Sequence, residues 1–242
     1  FGGPGRTALS FAPTYSMSPE YARDTHTRWV AGRREEDFTL DVDAAVALIQ
    51  QERPAVVFLP SPNNPTGTAL PISAVEQILS AARTSGPDGA ATVVVVDEAY
   101  AEFRREGTPS ALSLLADNRH LAVTRTMSKA FGMAGARLGY LAAAPALVDM
   151  LRIVRLPYHL SAVTQAVALA ALSHTDELMT QVASLRAERD ALVEWLDLHG
   201  LDAVPSDANF ILFGKFNDRH AIWQGLLDAG ILIREVGPDG WL

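Results

Sequence analysis

Short apolar runs alternate with segments of helical period along the first 145 residues. The apolar runs predict β-strands at residues 7–11, 55–59, 91–96, 120–124 and 137–142, and we expect the last to run antiparallel. Apolar positions at helical spacing predict helices at 41–53, with Asp41 as the N-cap, and at 72–83. Short buried strands that alternate with helices favour an α/β fold with a mostly parallel sheet.

The pattern changes after residue 145, where helical segments dominate. Helices are predicted at 145–155, 161–174, 176–199 and 219–229, and short strands at 201–204, 209–213 and from 231 to 233. Paired acidic residues and arginines on 176–199 indicate a solvated helix face. We therefore expect a large domain over 1–155 and a smaller α+β domain over 156–242. Both are expected to be incomplete, because the chain starts without Met and stops where a strand is predicted to begin.

Composition narrows the class of protein. The chain has 242 residues, of which 48% are hydrophobic and 20% charged, which suits a sizeable core and argues against disorder. A net charge of −8 disfavours nucleic-acid partners. The absence of cysteine excludes disulfides and fits a reducing cytoplasm. No apolar run is long enough for a membrane span, no signal peptide is recognised, and no histidines have metal-ligand spacing.

Three polar clusters follow predicted strands, at residues 61–67, 97–100 and 124–129. In an open parallel sheet, ligands bind beyond the carboxyl ends of the strands. The shared position of these clusters predicts a binding site at that edge of the sheet.

The side chains in these clusters suit a cationic, phosphorylated ring. Lys129 could form an imine in a positive or apolar neighbourhood, and Arg137, eight residues later, offers a bidentate fork to a phosphate. Asp97 could face a cationic ring nitrogen, while Tyr100 and Asn64 could each hydrogen-bond a phenolate oxygen. Taken singly, each residue also suits an ordinary role: a surface lysine, a strand-end cap or a turn.

Taken in order, these motifs match a known family. Asn-Pro-Thr-Gly from Asn64, Asp97-x-x-Tyr100 and Ser128-Lys129 with Arg137 beyond resemble the fold-type I aminotransferases of the aspartate aminotransferase superfamily. The resemblance implies a three-layer large domain around a mostly parallel sheet and a pyridoxal-phosphate cofactor. It implies that Lys129 forms the Schiff base, that Asp97 pairs with the pyridine nitrogen, and that Tyr100 and Asn64 reach the phenolic oxygen. The phosphate is expected at Thr126, Ser128 and Arg137.

Further segments are similar to the histidinol-phosphate aminotransferase family. These are 13–17, where Tyr15 would stack on the cofactor ring, and 124–131, 155–161, 205–210 and 230–235. The resemblance implies that Arg234 contacts a substrate phosphate and that Asn209 lines the substrate side. The implied reaction converts L-histidinol phosphate and 2-oxoglutarate into imidazole acetol phosphate and glutamate, in a homodimer. The family's upstream glycine loop, its intersubunit tyrosine and its downstream carboxylate-binding arginine are absent from this sequence.

Two alternatives stay open at this point. One is an aromatic amino-acid aminotransferase or a phospho-amino-acid decarboxylase on the same fold. The other is a non-catalytic domain of this fold that senses ligands in a transcription regulator, which would predict a helix-turn-helix upstream of Phe1.

Overall fold

A six-stranded sheet organises the protein, whose computed structural model describes residues 1–242. Its strands are β1 (Thr7–Ala12), β2 (Arg28–Arg33), β3 (Val56–Pro60), β4 (Val93–Asp97), β5 (Leu121–Thr126) and β6 (Gly139–Ala143). They lie in the order β2-β1-β3-β4-β5-β6. The first five strands are parallel and β6 runs antiparallel to β5, so the expected α/β fold with a mostly parallel sheet is confirmed.

Seven α-helices and a small hairpin-like pair complete the structure. The helices are α1 (Met17–Asp24), α2 (Val42–Glu52), α3 (Ile72–Ala82), α4 (Pro145–Val154), α5 (Ala162–Ser173), α6 (Thr175–Leu198) and α7 (Arg219–Asp228). Strands β7 (Asp202–Ala203) and β8 (Phe213–Gly214) pair antiparallel. Asp41 caps α2 as predicted, because its Oδ1 accepts from the backbone N of Ala44 at 3.0 Å. None of the helices combines the length and the apolar character that a bilayer crossing requires.

Helices cover the two faces of the sheet, which explains why its strands are apolar on both sides. Helices α2 and α3 bury one face, and α1 and α4 lie over the other. The first core includes Leu9, Ile49, Val57, Ile78, Val94 and Leu121. The second includes Ala8, Ala22, Val56, Ala122 and Leu147. Successive residues of β3 therefore point to opposite faces: Val57 and Leu59 lie in the first core and Val56 in the second.

Some predicted elements differ from the structure. Residues 231–233 form no strand, because no other strand pairs with them, and the carbonyl of Ile233 accepts a hydrogen bond from Trp223 Nε1 at 3.0 Å. The strand expected at 209–213 shares only Phe213 with β8, and residues 209–212 form no strand. The sequence patterns do not predict helix α1, which is short and rich in polar residues, or edge strand β2, which has arginine at both ends and no alternation of apolar and polar residues.

The division of the chain at residue 155 stays a prediction. The six-stranded sheet ends at Ala143, before the predicted boundary. Val182 of α6 and Ala208 nevertheless share a buried cluster with Tyr100 and Phe103, which follow β4. The two predicted regions therefore meet directly beside the carboxyl edge of the sheet.

Candidate active site

Strand register brings the three polar clusters together. Pro60 of β3 is the Cα partner of Asp97 of β4, which in turn is the partner of Thr124 of β5. Three adjacent parallel strands thus end at nearly the same level. The loops that leave them carry Asn64, Asp97 and Lys129 to one edge of the sheet, as the sequence predicted.

Asn64, Tyr100 and Lys129 form the centre of the site. Asn64 Nδ2 donates to Tyr100 Oη at 3.0 Å, and Lys129 Nζ lies 5.3 Å from the centroid of the Tyr100 ring. Tyr100 is buried, with Phe210 packed edge-on at 5.1 Å between ring centroids, whereas Lys129 is exposed. Because Tyr100 Oη accepts from Asn64, its own hydrogen remains available to a further acceptor.

Asp97 is a largely buried carboxylate without a cation of its own. Both hydrogen bonds that it accepts reach Oδ1, from Thr124 Oγ1 at 3.0 Å and from the backbone N of Ala99 at 3.2 Å. No ion pair of the chain includes it. Burial raises the pKa of Asp97, and the bonds from Thr124 and Ala99 offset this only in part. Its Oδ2 is therefore suited to an external cationic donor.

The neighbouring carboxylate, Glu98, has the opposite environment. It is 1% exposed and pairs with Arg125 at 2.7 Å and with Arg104 at 3.4 Å. It also accepts from Ser110 Oγ and from the backbone N of Ala111. Glu98 is satisfied entirely from within the chain, and it anchors the end of β4 to β5 through Arg125.

Tyr15 is carried to the site by a fully buried asparagine. Asn63 Nδ2 donates to the carbonyl of Pro13 at 3.0 Å, and Asn63 Oδ1 accepts from Thr14 Oγ1 at 3.1 Å. The segment that ends β1 is thereby fixed to the loop that carries Asn64. Tyr15 itself is 39% exposed, which leaves its ring free to stack on a ligand.

Tyr21 on α1 belongs to the same neighbourhood, although the sequence did not indicate it. Burial raises the pKa of Tyr21, and the nearby Tyr15 and Asp97 raise it further, whereas Arg137 lowers it. Tyr21 therefore lies close enough to three predicted site residues, Tyr15, Asp97 and Arg137, for their charges to act on its hydroxyl. The only signal in the sequence was the position of Tyr21 six residues after Tyr15, on a helix that was not predicted.

The proposed phosphate residues flank the turn between β5 and β6. Thr126 Oγ1 accepts from the backbone N of Ser128 at 3.1 Å, which fixes the turn that leads into Lys129. Arg137 is exposed at φ +53° and uses Nη1 on the carbonyl of Ala134 at 2.9 Å. Its other guanidinium donors stay available to an anion. Gly139 is required here, because a Cβ would lie 2.8 Å from the carbonyl oxygen of Arg125.

Asn209 and Arg234, the residues expected on the substrate side, have fewer contacts with the central cluster. Asn209 is exposed and lies next to Phe210, whose ring touches Tyr100. Arg234 is exposed in the segment after α7, and no hydrogen bond or ion pair joins it to the central cluster. The structure therefore brings Asn209 to the border of the site and leaves Arg234 outside its bonded network.

The donor set fits a pyridoxal-phosphate group. It contains a lysine amine, a buried carboxylate with a free oxygen, a tyrosine hydroxyl with a free hydrogen and an arginine with free donors. Lys129 is one of only two lysines in the chain, and the other, Lys215, pairs with Asp202 at 3.3 Å. No group of three or more His, Cys, Asp or Glu side chains is arranged to hold a metal ion.

Fold and site together define an α/β protein of the fold-type I transferase class, with its lysine at the carboxyl edge of the sheet. The family model described as aminotransferase class I and II matches residues 1–242, so the chain belongs to this family.

Two curated relatives are histidinol-phosphate aminotransferases that align with the whole of this chain. The protein of Thermobifida fusca is 64% identical over 242 residues, and that of Frankia casuarinae is 58% identical. The chain spans 64% and 60% of their lengths, respectively. The crystal structure of histidinol-phosphate aminotransferase from Sinorhizobium meliloti in complex with pyridoxal-5'-phosphate superposes with a TM-score of 0.85 at 27% identity. That comparison covers 98% of this chain and 64% of the other.

The raised pKa of Asp97 predicts a pH-dependent gain of stability in Asp97→Asn, measured without cofactor. The carboxyl binds more protons in the folded state, so its contribution to stability falls as pH rises from the unfolded value of about 3.9 through the raised folded value. Asparagine keeps the acceptor for Thr124 and Ala99 and has no charge to bury. The variant should melt at a higher temperature than wild type at pH 7, with the difference shrinking in acid.

Asp117→Asn, at an exposed loop position, is the matched control and should change the melting temperature little across this pH range. If Asp97→Asn were less stable than wild type at pH 7, the account of Asp97 as an unpaired buried carboxylate would be wrong.

Proposed function

We propose that the natural protein containing this chain is a pyridoxal-phosphate-dependent aminotransferase for L-histidinol phosphate. It would transfer the amino group to 2-oxoglutarate and release imidazole acetol phosphate and glutamate, a step of histidine biosynthesis. The observation that carries the proposal is the pairing of Lys129, held 5.3 Å from the Tyr100 ring, with an Asp97 that has no internal cation.

Each residue of the cluster has a role that follows from its contacts. When bound, pyridoxal phosphate supplies an electron-accepting ring that stabilises negative charge on the carbon bearing the amino group. Asp97 Oδ2 would hold a proton on the ring nitrogen. Tyr100 would donate its free hydroxyl hydrogen to the phenolic oxygen, beside Asn64. The Lys129 amine, which would anchor the cofactor covalently, would also take the proton from the substrate carbon as a general base.

Other residues of the site would contact the cofactor phosphate, the face of the cofactor ring and the substrate. Arg137, Thr126 and Ser128 border the turn before β6 and would hold the cofactor phosphate through charge-assisted hydrogen bonds. Tyr15 would stack on the ring from the end of β1. On the substrate side, Asn209 would line the pocket, and Arg234 would reach a phosphate on the substrate after the small region closes on it.

The oligomeric state, the cellular compartment and the division into two regions are also proposals. We infer a homodimer in the cytoplasm, and a large region over 1–155 that binds the cofactor with a smaller one over 156–242. Support for a partner surface comes from α4, α5 and the segment between them, which leave large apolar side chains uncovered, including Ile153 at 83% and Tyr158 at 99% exposure. The bacterial relatives named above support the biosynthetic role.

Substitution of the two lysines tests the cofactor anchor. With pyridoxal phosphate added, the wild-type protein should develop a visible absorption band that Lys129→Ala abolishes, because no other amine lies beside Tyr100. Lys215→Ala removes the other lysine of residues 1–242, at an exposed position paired with Asp202, and should keep the band. Persistence of the band in Lys129→Ala would refute the assignment.

The choice of substrate is tested at Arg234. Loss of a charge-assisted contact of about 1.5–3 kcal/mol should lower kcat/KM for histidinol phosphate roughly ten- to hundredfold in Arg234→Ala. Turnover of phenylalanine, which has no phosphate, should change little. Arg119→Ala, exposed in the turn before β5, is the control and should alter neither rate.

The same assay separates the rivals. A wild-type preference for phenylalanine would favour an aromatic amino-acid aminotransferase, and release of carbon dioxide without amino transfer would favour a decarboxylase. Cofactor binding with no turnover of any of these substrates would favour a ligand-sensing domain.

A further inference from the structure

A short segment of the C-terminal region closes over the central cluster. The backbone N of Asp207 donates to the carbonyl of Gly67 at 2.8 Å, and the ring of Phe210 packs edge-on against Tyr100. Gly67 has φ +74°, and a Cβ there would lie 2.3 Å from Ser206 Oγ. Residues 206–210 therefore press directly on the loop that carries Asn64 and on the tyrosine that Asn64 bonds.

The segment is rigid in itself. Ser206 Oγ donates to the carbonyl of Phe210 at 2.6 Å and accepts from the backbone N of Ala208 at 3.1 Å. Ser206, Asp207 and Ala208 are all buried. A turn that is bonded internally in this way moves as a unit, so whatever fixes it also fixes Asn209 and Phe210.

Arg189 of α6 ties this turn to the segment after Tyr100. Its Nη1 donates to the carbonyl of Phe103 at 2.8 Å and to the carbonyl of Ala208 at 2.9 Å. Arg189 is 5% exposed, although the acidic and basic pattern of α6 predicted a solvated face. Its only acidic partner, Asp190, is mostly exposed, and its Nη2 has no hydrogen-bond partner. A buried charge that is satisfied so incompletely is weak evidence for stability and suggests a role in fixing geometry.

A second tie joins the same two segments. The carboxylate of Asp207 accepts three hydrogen bonds from Arg105, from its backbone N at 2.8 Å, from Nε at 3.3 Å and from Nη2 at 3.0 Å. Asp207 is 4% exposed, and its hydrogen bonds raise the pKa of Arg105. The turn is thus held at Ala208 by a helix and at Asp207 by the chain that follows Tyr100.

We propose that Arg189 is a positioning residue that holds the 206–210 turn against Tyr100. It thereby fixes the Phe210 ring that packs edge-on against the ring of Tyr100 and so orients that ring and its hydroxyl, and it presents Asn209 at the border of the pocket. This inference rests on the proposed function, because the oriented hydroxyl matters through the cofactor's phenolic oxygen. Neither contact of Arg189 involves the reacting atoms, so its influence passes entirely through Tyr100 and the turn.

The test compares Arg189→Met with Arg189→Lys in the natural protein containing this chain. Leu196→Ala, a buried position on the same helix outside the Tyr100 cluster, is the matched control for general loss of stability. Hydrogen exchange is measured first without cofactor. The amides of Asp207 and Ala208 should exchange roughly tenfold faster in Arg189→Met, and less so in Arg189→Lys, which can restore one carbonyl bond. Leu196→Ala should show no such local increase.

The second readout is the pH midpoint of the visible absorption of bound pyridoxal phosphate, recorded without substrate. A phenolic oxygen that receives a weaker hydrogen bond is more basic, so the midpoint should rise by on the order of half a pH unit in Arg189→Met. The rise should be smaller in Arg189→Lys and absent in Leu196→Ala. A purely structural arginine would lower stability without moving this midpoint.

Equal exchange at Asp207 and Ala208 in Arg189→Met and Leu196→Ala, or an unchanged midpoint in Arg189→Met, would overturn the proposal. Failure of the proposed function is distinguishable: without cofactor binding, wild type would develop no visible absorption, and with cofactor binding but another activity, the turnover assay above would show it while the midpoint could still be compared. The exchange measurement needs no cofactor and would still decide whether Arg189 holds the turn.

Discussion

The carboxylate of Asp97 is largely buried at the end of β4 without a counter-ion, and the chemistry of the site depends on it. Glu98, the next residue, faces away and takes up both nearby arginines, Arg104 and Arg125. Thr124 and Ala99 occupy only one oxygen of Asp97. A buried, unpaired carboxylate is costly and is retained where a ligand completes it. The chain therefore presents the anionic half of an ion pair whose cationic half must come from outside.

The remaining groups of the site are placed around this carboxylate by the sheet. Parallel register sets the ends of β3, β4 and β5 at one level, so their loops converge without long connections. The C-terminal region contributes through tertiary contacts and not through strand pairing. Its 206–210 turn reaches the site through Gly67, Phe103 and Arg105, and it packs Phe210 on Tyr100. Backbone pairing of the strands thus fixes the residues that follow β3, β4 and β5. Buried Arg189 and Asp207 fix the 206–210 turn.

Sequence patterns predict the residues at the strand ends well, but they do not predict how the 206–210 turn is held against the site. The valine run ending at Asp97 and the apolar run ending at Pro60 specify buried strands, and any parallel sheet gathers their ends. Polar residues obscure the helical period of α1, and β2 lacks the alternation of apolar and polar residues that indicates a strand, so the sequence gives no sign that Tyr21 lies beside the site. The charge pattern of 176–199 predicts a solvated face that includes Arg189, since only the tertiary contact of α6 with the turn buries this residue. The apolar composition of residues 231–233 predicts a strand, but composition does not reveal whether a partner strand exists.

The most direct measurement is nitrogen-15 NMR of pyridoxal phosphate labelled at the ring nitrogen and bound to the protein. Asp97 should keep that nitrogen protonated at neutral pH and above, because the buried carboxylate and the ring cation stabilise each other. The account predicts the chemical shift of a protonated pyridinium throughout this range. The shift of a neutral pyridine nitrogen at pH 7 would contradict the claim that Asp97 is the anionic half of this pair.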